Sequence, residues 1–194
     1  LGDYGKGRGN STLRTEQDLP MPALLVMIVV IAIAIWLVPA FPVSPLGAVI
    51  VVVFGFFFAT VSSRMVGLIG SSNNPVSGMA IATLIIATLL LKATGTTGTT
   101  GMVGAISIGG IICVIAAIAG DCSQDLKTGF IVGATPKKQQ IGEMIGVVVS
   151  SAAIGGVLYL LDQAWGYGSD QIPAPQATMM KMLVEGIMNA QLPW

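Results

Sequence analysis

Residues 70–79 form a polar segment between two long apolar runs, and their side chains suit the binding of a polar group. Pro75 fits the first turn of a helix, where its missing N–H costs nothing, and Asn73 or Asn74 can cap the free N–H groups that follow. Such a helix start presents N–H donors and a positive dipole end, which suit a carboxylate, while Asn73, Asn74 and Ser77 add neutral hydrogen-bonding groups. A membrane protein tolerates irregular polar backbone at its surface, buried in protein, or lining a wet cavity. Residues 70–79 are therefore compatible with either a plain surface loop or a binding segment.

The composition is that of a membrane protein. Of 194 residues, 54% are hydrophobic and 9% are charged, whereas a soluble domain carries about 25% charged residues. The formal net charge of zero offers no basic surface for nucleic acid. The chain has no histidine, which excludes Ser-His-Asp and Cys-His catalysis and histidine-ligated zinc. Cys113 and Cys122 lie in and at the end of an apolar run, which favours small packing residues over a disulfide or a metal pair.

Five apolar runs are long enough to cross a bilayer, because a ~30 Å hydrocarbon core takes roughly 20 helical residues. We predict spans at about 22–41, 45–67, 75–92, 101–120 and 139–161. The chain is thereby divided into a polar segment at 1–20 and a membrane domain at 21–194. The predicted fold is an all-α, polytopic transmembrane helical bundle.

The connections between these runs are of different kinds. The Thr- and Gly-rich residues 94–101 predict a flexible turn. The polar residues 121–140 have a short apolar face and predict an amphipathic helix or a re-entrant turn. Residues 176–190 repeat apolar side chains at helical spacing, which predicts an amphipathic helix that lies on the membrane or dips into the protein.

Small residues in the spans indicate how closely the helices pack, and the cations indicate how the chain is oriented in the membrane. The Gly- and Ala-rich fourth span, and the pair Gly142 and Gly146 in the fifth, are typical of closely packed helices. With five alternating spans, one side of the membrane collects Lys6, Arg8, Arg14, Arg64, Lys127, Lys137 and Lys138. The other side collects Lys92 and Lys181, so the first side is predicted to be cytoplasmic.

Two stretches resemble signatures of the oligopeptide transporter family. Residues 71–79, Ser-Ser-Asn-Asn-Pro-Val-Ser-Gly-Met, look like its NPVSGM signature. Residues 121–140 resemble the GDxxQDLKTGxxxGATPxxQQ stretch of its prokaryotic members, and residues 173–177 and 192–194 also fit. The resemblance covers the chain from about residue 21 onwards. It implies a piece from the C-terminal half of a larger transporter, whose remaining helices would be its partners.

The resemblance also implies a function. Members of this family are secondary transporters that import small peptides together with protons, so the proton gradient would supply the energy and no cofactor is expected. The yellow-stripe branch moves metal–chelate complexes, such as iron bound to phytosiderophore or nicotianamine, and this is the alternative substrate class. The expected location is the plasma membrane, or the inner membrane of a bacterium.

Under this resemblance the polar segment becomes the predicted substrate-binding site. Its residues are Asn73, Asn74, Pro75, Ser77 and Gly78. They would read the carboxylate, ammonium and amide groups that all peptides share.

Proton coupling needs a group that exchanges a proton in a partly buried place, and without histidine the candidates are carboxylates. Glu143 is the first candidate, because it lies inside the fifth span. Asp121 and Asp125, with Lys127, form a second candidate group that is either a gate or a solvated ion-pair cluster.

Two other function classes fit less well. Asn74-Pro75 is similar to the aquaporin Asn-Pro-Ala motif, but the third residue is valine and no second copy is present, which argues against a channel. No Gly-x-Ser-x-Gly or His-Glu-x-x-His pattern occurs either, so we do not expect an enzyme.

Overall fold

The computed structural model describes residues 13–38 and 43–190. Within these ranges the chain is helical and contains no strand. The helices are α1 Met21–Leu37, α2 Pro45–Ile69, α3 Val76–Ala93, α4 Gly98–Val132, α5 Pro136–Trp165 and α6 Pro175–Asn189. The first five are long and apolar enough to cross a membrane. The predicted all-α fold with five spans is therefore confirmed.

Some sequence predictions lie outside the described residues. They are the first twelve residues of the polar segment 1–20, the last residues of the first predicted span, and the closing residues 192–194 that fit the family.

The described part of the chain divides into two compact units. The first comprises residues 13–21 and 126–179, and the second comprises residues 22–38, 43–125 and 180–190. The candidate site described below belongs to the second unit.

The first unit is held by hydrogen bonds between the segment before α1 and the beginning of α5. The Lys137 N–H donates to the Gln17 carbonyl at 2.9 Å. The Gln140 side chain accepts from the Leu19 N–H at 3.1 Å and donates to Asp18 at 3.2 Å. Helix α5 has no buried residue.

The second unit contains the apolar core. Most of its buried members come from α2, α3, α4 and α6 and include Ile50, Leu84, Ile108 and Val184. Gly109 lies against α3, since a Cβ atom there would be 3.0 Å from the Leu84 Cδ1 atom. The close packing predicted for the fourth span is thus present.

Helix α6 packs its apolar face into this core. Val184 is fully buried and Met188 nearly so, while Lys181 and Glu185 form an exposed ion pair at 3.7 Å on the other face. The Lys92 Nζ atom, at the end of α3, donates to the Ile187 carbonyl at 2.7 Å. Of the two predicted placements of this amphipathic helix, the structure has the one packed against protein.

Three local predictions differ from the structure. Residues 121–132 are not a connection but the end of α4, and the break before α5 is confined to residues 133–135, where Gly133 has a φ of 71°. The 35 residues of α4 span ~52 Å at 1.5 Å each, well beyond the ~30 Å hydrocarbon core. Hydropathy marks where a helix leaves the membrane, not where it ends. The turn predicted at 94–101 is also shorter, because α4 already begins at Gly98.

The third difference concerns Gly142 and Gly146. A Cβ atom at either position would meet open space. The close helix contact predicted from this pair is therefore not formed within the ranges that the structure describes.

Candidate functional site

The segment between α2 and α3 is a compact turn. Gly70 ends α2 with a φ of 86°, in the left-handed region that favours glycine. A single 3₁₀ turn, Ser71–Asn73, follows, and Asn74 is extended. The chain enters α3 at Val76.

Pro75 is the residue before α3 and not its first helical residue, and no side chain caps the first turn of α3. The predicted capping by Asn73 or Asn74 is therefore wrong. The reason is that each asparagine side chain has other partners. The Asn73 Nδ2 atom donates to the Ile69 carbonyl at 3.0 Å and so caps the end of α2 instead.

Asn74 connects three parts of the second unit. Its Nδ2 atom donates to the Ser62 Oγ atom on α2 at 2.7 Å and to the Ala116 carbonyl on α4 at 3.4 Å. The fully buried Ser62 hydroxyl donates to the same Ala116 carbonyl at 2.5 Å. The turn before α3 is thereby fixed to both α2 and α4.

Gly120 leaves the space that the Asn74 side chain occupies. A Cβ atom at Gly120 would lie 2.9 Å from the Asn74 Nδ2 atom, 2.9 Å from the Val66 Cγ2 atom and 3.2 Å from the Ser62 Oγ atom. A side chain at this position would displace the carboxamide. We call Asn74, Ser62, Ala116 and Gly120 together the Asn74 site.

The Asn74 Oδ1 atom is buried and has no hydrogen-bond partner within residues 13–38 and 43–190. Leaving a buried acceptor unsatisfied costs about 1–3 kcal/mol. Because both partners of the Nδ2 atom are acceptors, the carboxamide orientation is set, and Oδ1 is the atom of Asn74 that remains available. The Asn74 site can therefore accept a hydrogen bond.

The other predicted substrate-binding residues lie on the same turn or at the beginning of α3. Asn73, Pro75, Ser77 and Gly78 are exposed, whereas Asn74 is half-buried. A Cβ atom at Gly78 would meet open space, so the backbone at the beginning of α3 is approachable. All five predicted residues are brought together, with Asn74 as the innermost.

Sequence reasoning missed Ser62, Ala116 and Gly120. Ser62 carried a signal, since it is a hydroxyl residue in the apolar run of the second span and such a group needs a partner in a membrane. Ala116 contributes only its backbone carbonyl, and a single sequence gives no signal for that.

The charged candidates are distributed over both units. Asp121 and Asp125 are exposed on α4 in the unit of Asn74. Lys127 and Glu143 belong to the other unit. The Lys127 Nζ atom lies 5.3 Å from the centre of the Phe130 ring. Glu143 is half-buried near the beginning of α5.

No group of three or more histidine, cysteine, aspartate or glutamate side chains that could hold a metal ion occurs in residues 13–38 and 43–190. Asn74 and its neighbours on the turn are neutral, so their chemistry is hydrogen bonding.

Comparison with known proteins identifies the family. The profile described as OPT oligopeptide transporter protein matches residues 3–194. The chain belongs to the OPT oligopeptide transporter family. Members of this family are membrane transporters and not enzymes.

Individual relatives of this OPT chain carry two kinds of name. A Haemophilus influenzae protein named "Putative oligopeptide transporter" is 32% identical over 97% of the chain and 35% of its own length. A Saccharomyces cerevisiae protein named "Putative oligopeptide transporter YGL114W" is 30% identical over 71% of the chain and 18% of its length. An Arabidopsis thaliana protein named "Probable metal-nicotianamine transporter YSL5" is 32% identical over 41% of the chain and 12% of its length. No solved structure matches the chain.

The chain thus spans about a third of the length of the Haemophilus influenzae relative.

Proposed function

We propose that the polypeptide carrying this chain is a secondary active transporter that imports small oligopeptides with protons across the plasma membrane. The observation that carries the proposal is the similarity, over 97% of the chain, to a protein named as an oligopeptide transporter. The bilayer, the transported peptide and the remaining helices of the transporter are the proposed partners, and the proton gradient takes the place of a cofactor.

The turn around Asn74 supports a peptide as the substrate. A peptide of any sequence carries an ammonium group, a carboxylate and amide groups. A site for many peptides should read these groups and leave the side chains free. The exposed Ser77 and the open backbone at Gly78 lie at the beginning of α3, where N–H groups and the helix dipole favour a carboxylate. Asn73, Asn74 and Pro75 complete the proposed substrate-binding segment.

For proton coupling we propose Glu143. It is a half-buried carboxylate in a predicted span, and intramembrane carboxylates commonly serve as proton relays. Asp121, Asp125 and Lys127 are the second choice, as residues of a cytoplasmic gate, because all three are exposed on the polar end of α4.

The test is uptake by proteoliposomes that contain the complete polypeptide. Radiolabelled trialanine should accumulate when the outside is more acidic than the lumen, and a protonophore should abolish accumulation. Glu143→Gln should lose gradient-driven accumulation but keep exchange of labelled for unlabelled trialanine, because exchange requires no net proton movement. The matched control is Glu185→Gln, a glutamate of α6 whose side chain is 41% exposed and pairs with Lys181, which should behave as wild type.

Two results would contradict the proposal. Accumulation of trialanine that ignores the pH gradient would exclude proton coupling. Accumulation by Glu143→Gln at the wild-type level would exclude Glu143 as the coupling residue and direct attention to Asp121 and Asp125.

Metal–chelate transport is the second candidate function. It rests on the similarity of 87 residues to two Arabidopsis thaliana proteins named as metal-nicotianamine transporters. The same proteoliposomes should be offered iron–nicotianamine. Uptake of the chelate without uptake or inhibition by trialanine would favour this candidate.

A further inference from the structure

The hydrogen bonds of Asn74 determine which kind of ligand group it can bind. A carboxamide normally offers two donors on Nδ2 and an acceptor on Oδ1. Here Nδ2 is directed to the Ser62 Oγ atom and the Ala116 carbonyl, while Oδ1 is buried without a partner in the part of the chain that the structure describes. A ligand carboxylate cannot bond to Oδ1, because both atoms are acceptors.

We infer that Asn74 accepts a hydrogen bond from a donor group of the transported ligand, an ammonium N–H or an amide N–H. This inference rests on the proposed peptide substrate, and it states which partner donates and which accepts in one hydrogen bond. The carboxylate must then bind elsewhere, for instance at the beginning of α3, where Ser77 and Gly78 are exposed.

A ligand can approach this acceptor from the side of the turn. Asn73 and Pro75, the two chain neighbours of Asn74, are both exposed, and Asn74 itself is half-buried, so the site lies near the surface of the turn. Because Oδ1 is buried in the structure, binding requires a movement of the turn that uncovers this atom while Nδ2 keeps its partners. Desolvation of the unsatisfied oxygen opposes its burial and favours the shifted state once a donor is present.

Ser62 and Gly120 act as positioning residues. The Ser62 hydroxyl donates to the Ala116 carbonyl and is thereby oriented to accept from Nδ2. Gly120 leaves the room that Nδ2 needs to reach both acceptors. Without these two residues the carboxamide could rotate and present its NH₂ group to the ligand. The site would then prefer a ligand acceptor to a ligand donor.

The experiment compares trialanine with three derivatives that each lack one group. The complete transporter in proteoliposomes is assayed for inhibition of labelled trialanine uptake by four compounds. They are trialanine itself, trialanine with a trimethylated N-terminus, trialanine with N-methylated peptide bonds, and trialanine with an amidated C-terminus. The second compound keeps the positive charge without an ammonium N–H, and the third lacks amide N–H groups, so the two compounds distinguish the possible donors.

In the wild type, one of the two donor-deleted compounds should inhibit about tenfold more weakly than trialanine, the ratio that corresponds to one hydrogen bond of 1.4 kcal/mol. In Asn74→Ala that ratio should fall to about one, while the ratio for the amidated compound stays at its wild-type value. Ser62→Ala should also lower this ratio of inhibition between trialanine and the donor-deleted compound, which we call the donor ratio. The matched control is Ser63→Ala, because among the described residues the Ser63 hydroxyl bonds only to the Ala59 carbonyl of its own helix, at 3.0 Å. It should retain the wild-type ratio.

The inference is overturned if Asn74→Ala and Ser62→Ala both keep the wild-type donor ratios, or if the amidated compound is the one whose ratio changes. If Asn74→Ala does not fold, Ser62→Ala decides alone. A wild-type transporter that neither takes up trialanine nor is inhibited by it would instead refute the proposed function itself.

Discussion

Replacing Gly120 by alanine tests the packing of the Asn74 site with a single methyl group. That methyl group would lie 2.9 Å from the Asn74 Nδ2 atom and 2.9 Å from the Val66 Cγ2 atom, distances that real Cβ contacts do not sustain. Val66 is buried and cannot move freely, so we expect the Asn74 side chain to be displaced.

The size of the effect follows from three contributions. Forcing a methyl group into a packed site costs about 1–3 kcal/mol. Loss of the 2.7 Å hydrogen bond from Asn74 to Ser62 adds about 0.5–1.5 kcal/mol. Alanine is the better helix former by about 1 kcal/mol, which opposes both. The transporter should therefore be destabilised by about 0.5–3.5 kcal/mol.

The measurement is the midpoint of unfolding by sodium dodecyl sulfate, with Gly110→Ala as the matched control. Gly110 lies on the same helix, is exposed, and a Cβ atom there meets open space. Its replacement should leave the free energy of unfolding unchanged or raise it by up to about 1 kcal/mol.

A double variant makes the test specific to the site. Because Asn74→Ala removes the displaced group, the combined cost of Asn74→Ala and Gly120→Ala should be smaller than the sum of the single costs. If Gly120→Ala is as stable as Gly110→Ala, or if the two costs simply add, the described contact between Gly120 and Asn74 is refuted.

Three further predictions concern other parts of the chain. Gly109→Leu should destabilise the protein by about 3 kcal/mol, since even a Cβ atom would lie 3.0 Å from Leu84; detergent unfolding measures this. Lys92→Met should lower the stability of α6 by about 1.5 kcal/mol, because it removes the hydrogen bond to the Ile187 carbonyl; limited proteolysis of α6 measures this. Lys137→Cys should resist impermeant thiol reagents in intact cells and react after permeabilisation, because the cationic side is expected to be cytoplasmic.

Each of these has a control or a contradicting result. Gly110→Leu, at an open position, should be tolerated where Gly109→Leu is not. Lys181→Met breaks only an exposed ion pair, which contributes little, so equal proteolysis of both lysine variants would refute the role of Lys92. The labelling needs a background in which Cys113 and Cys122 are replaced, and full labelling of intact cells would reverse the orientation.

The helical fold could be predicted because it depends on local composition. Runs of about 20 apolar residues identify membrane spans whatever their neighbours are, and α1 to α5 coincide with such runs. The extent of α4 was missed for the same reason: residues 121–132 are polar enough to leave the bilayer, yet nothing in them except Gly129 disfavours a helix.

The candidate site was predicted only in part. The asparagines, Pro75 and Ser77 stand together in the sequence, and their shared turn was expected. The orientation of Asn74 depends on Ser62, 12 residues away, and on Ala116, 42 residues away. Contacts at such separations depend on how helices pack, which hydrophobic periodicity in one sequence does not specify.

The same separations set an order of events during synthesis. Ser62 and Asn74 are only 12 residues apart and lie on neighbouring segments, so they can bond as soon as α2 and α3 have left the ribosome. The Ala116 carbonyl follows 42 residues after Asn74, which takes ~2–8 s at a translation rate of ~5–20 residues per second. Until then Asn74 and Ser62 lack this acceptor, which α4 supplies when it packs against α2 and α3. The Asn74 site thus gives α4 a hydrogen-bonded register on α2 and α3 as it inserts.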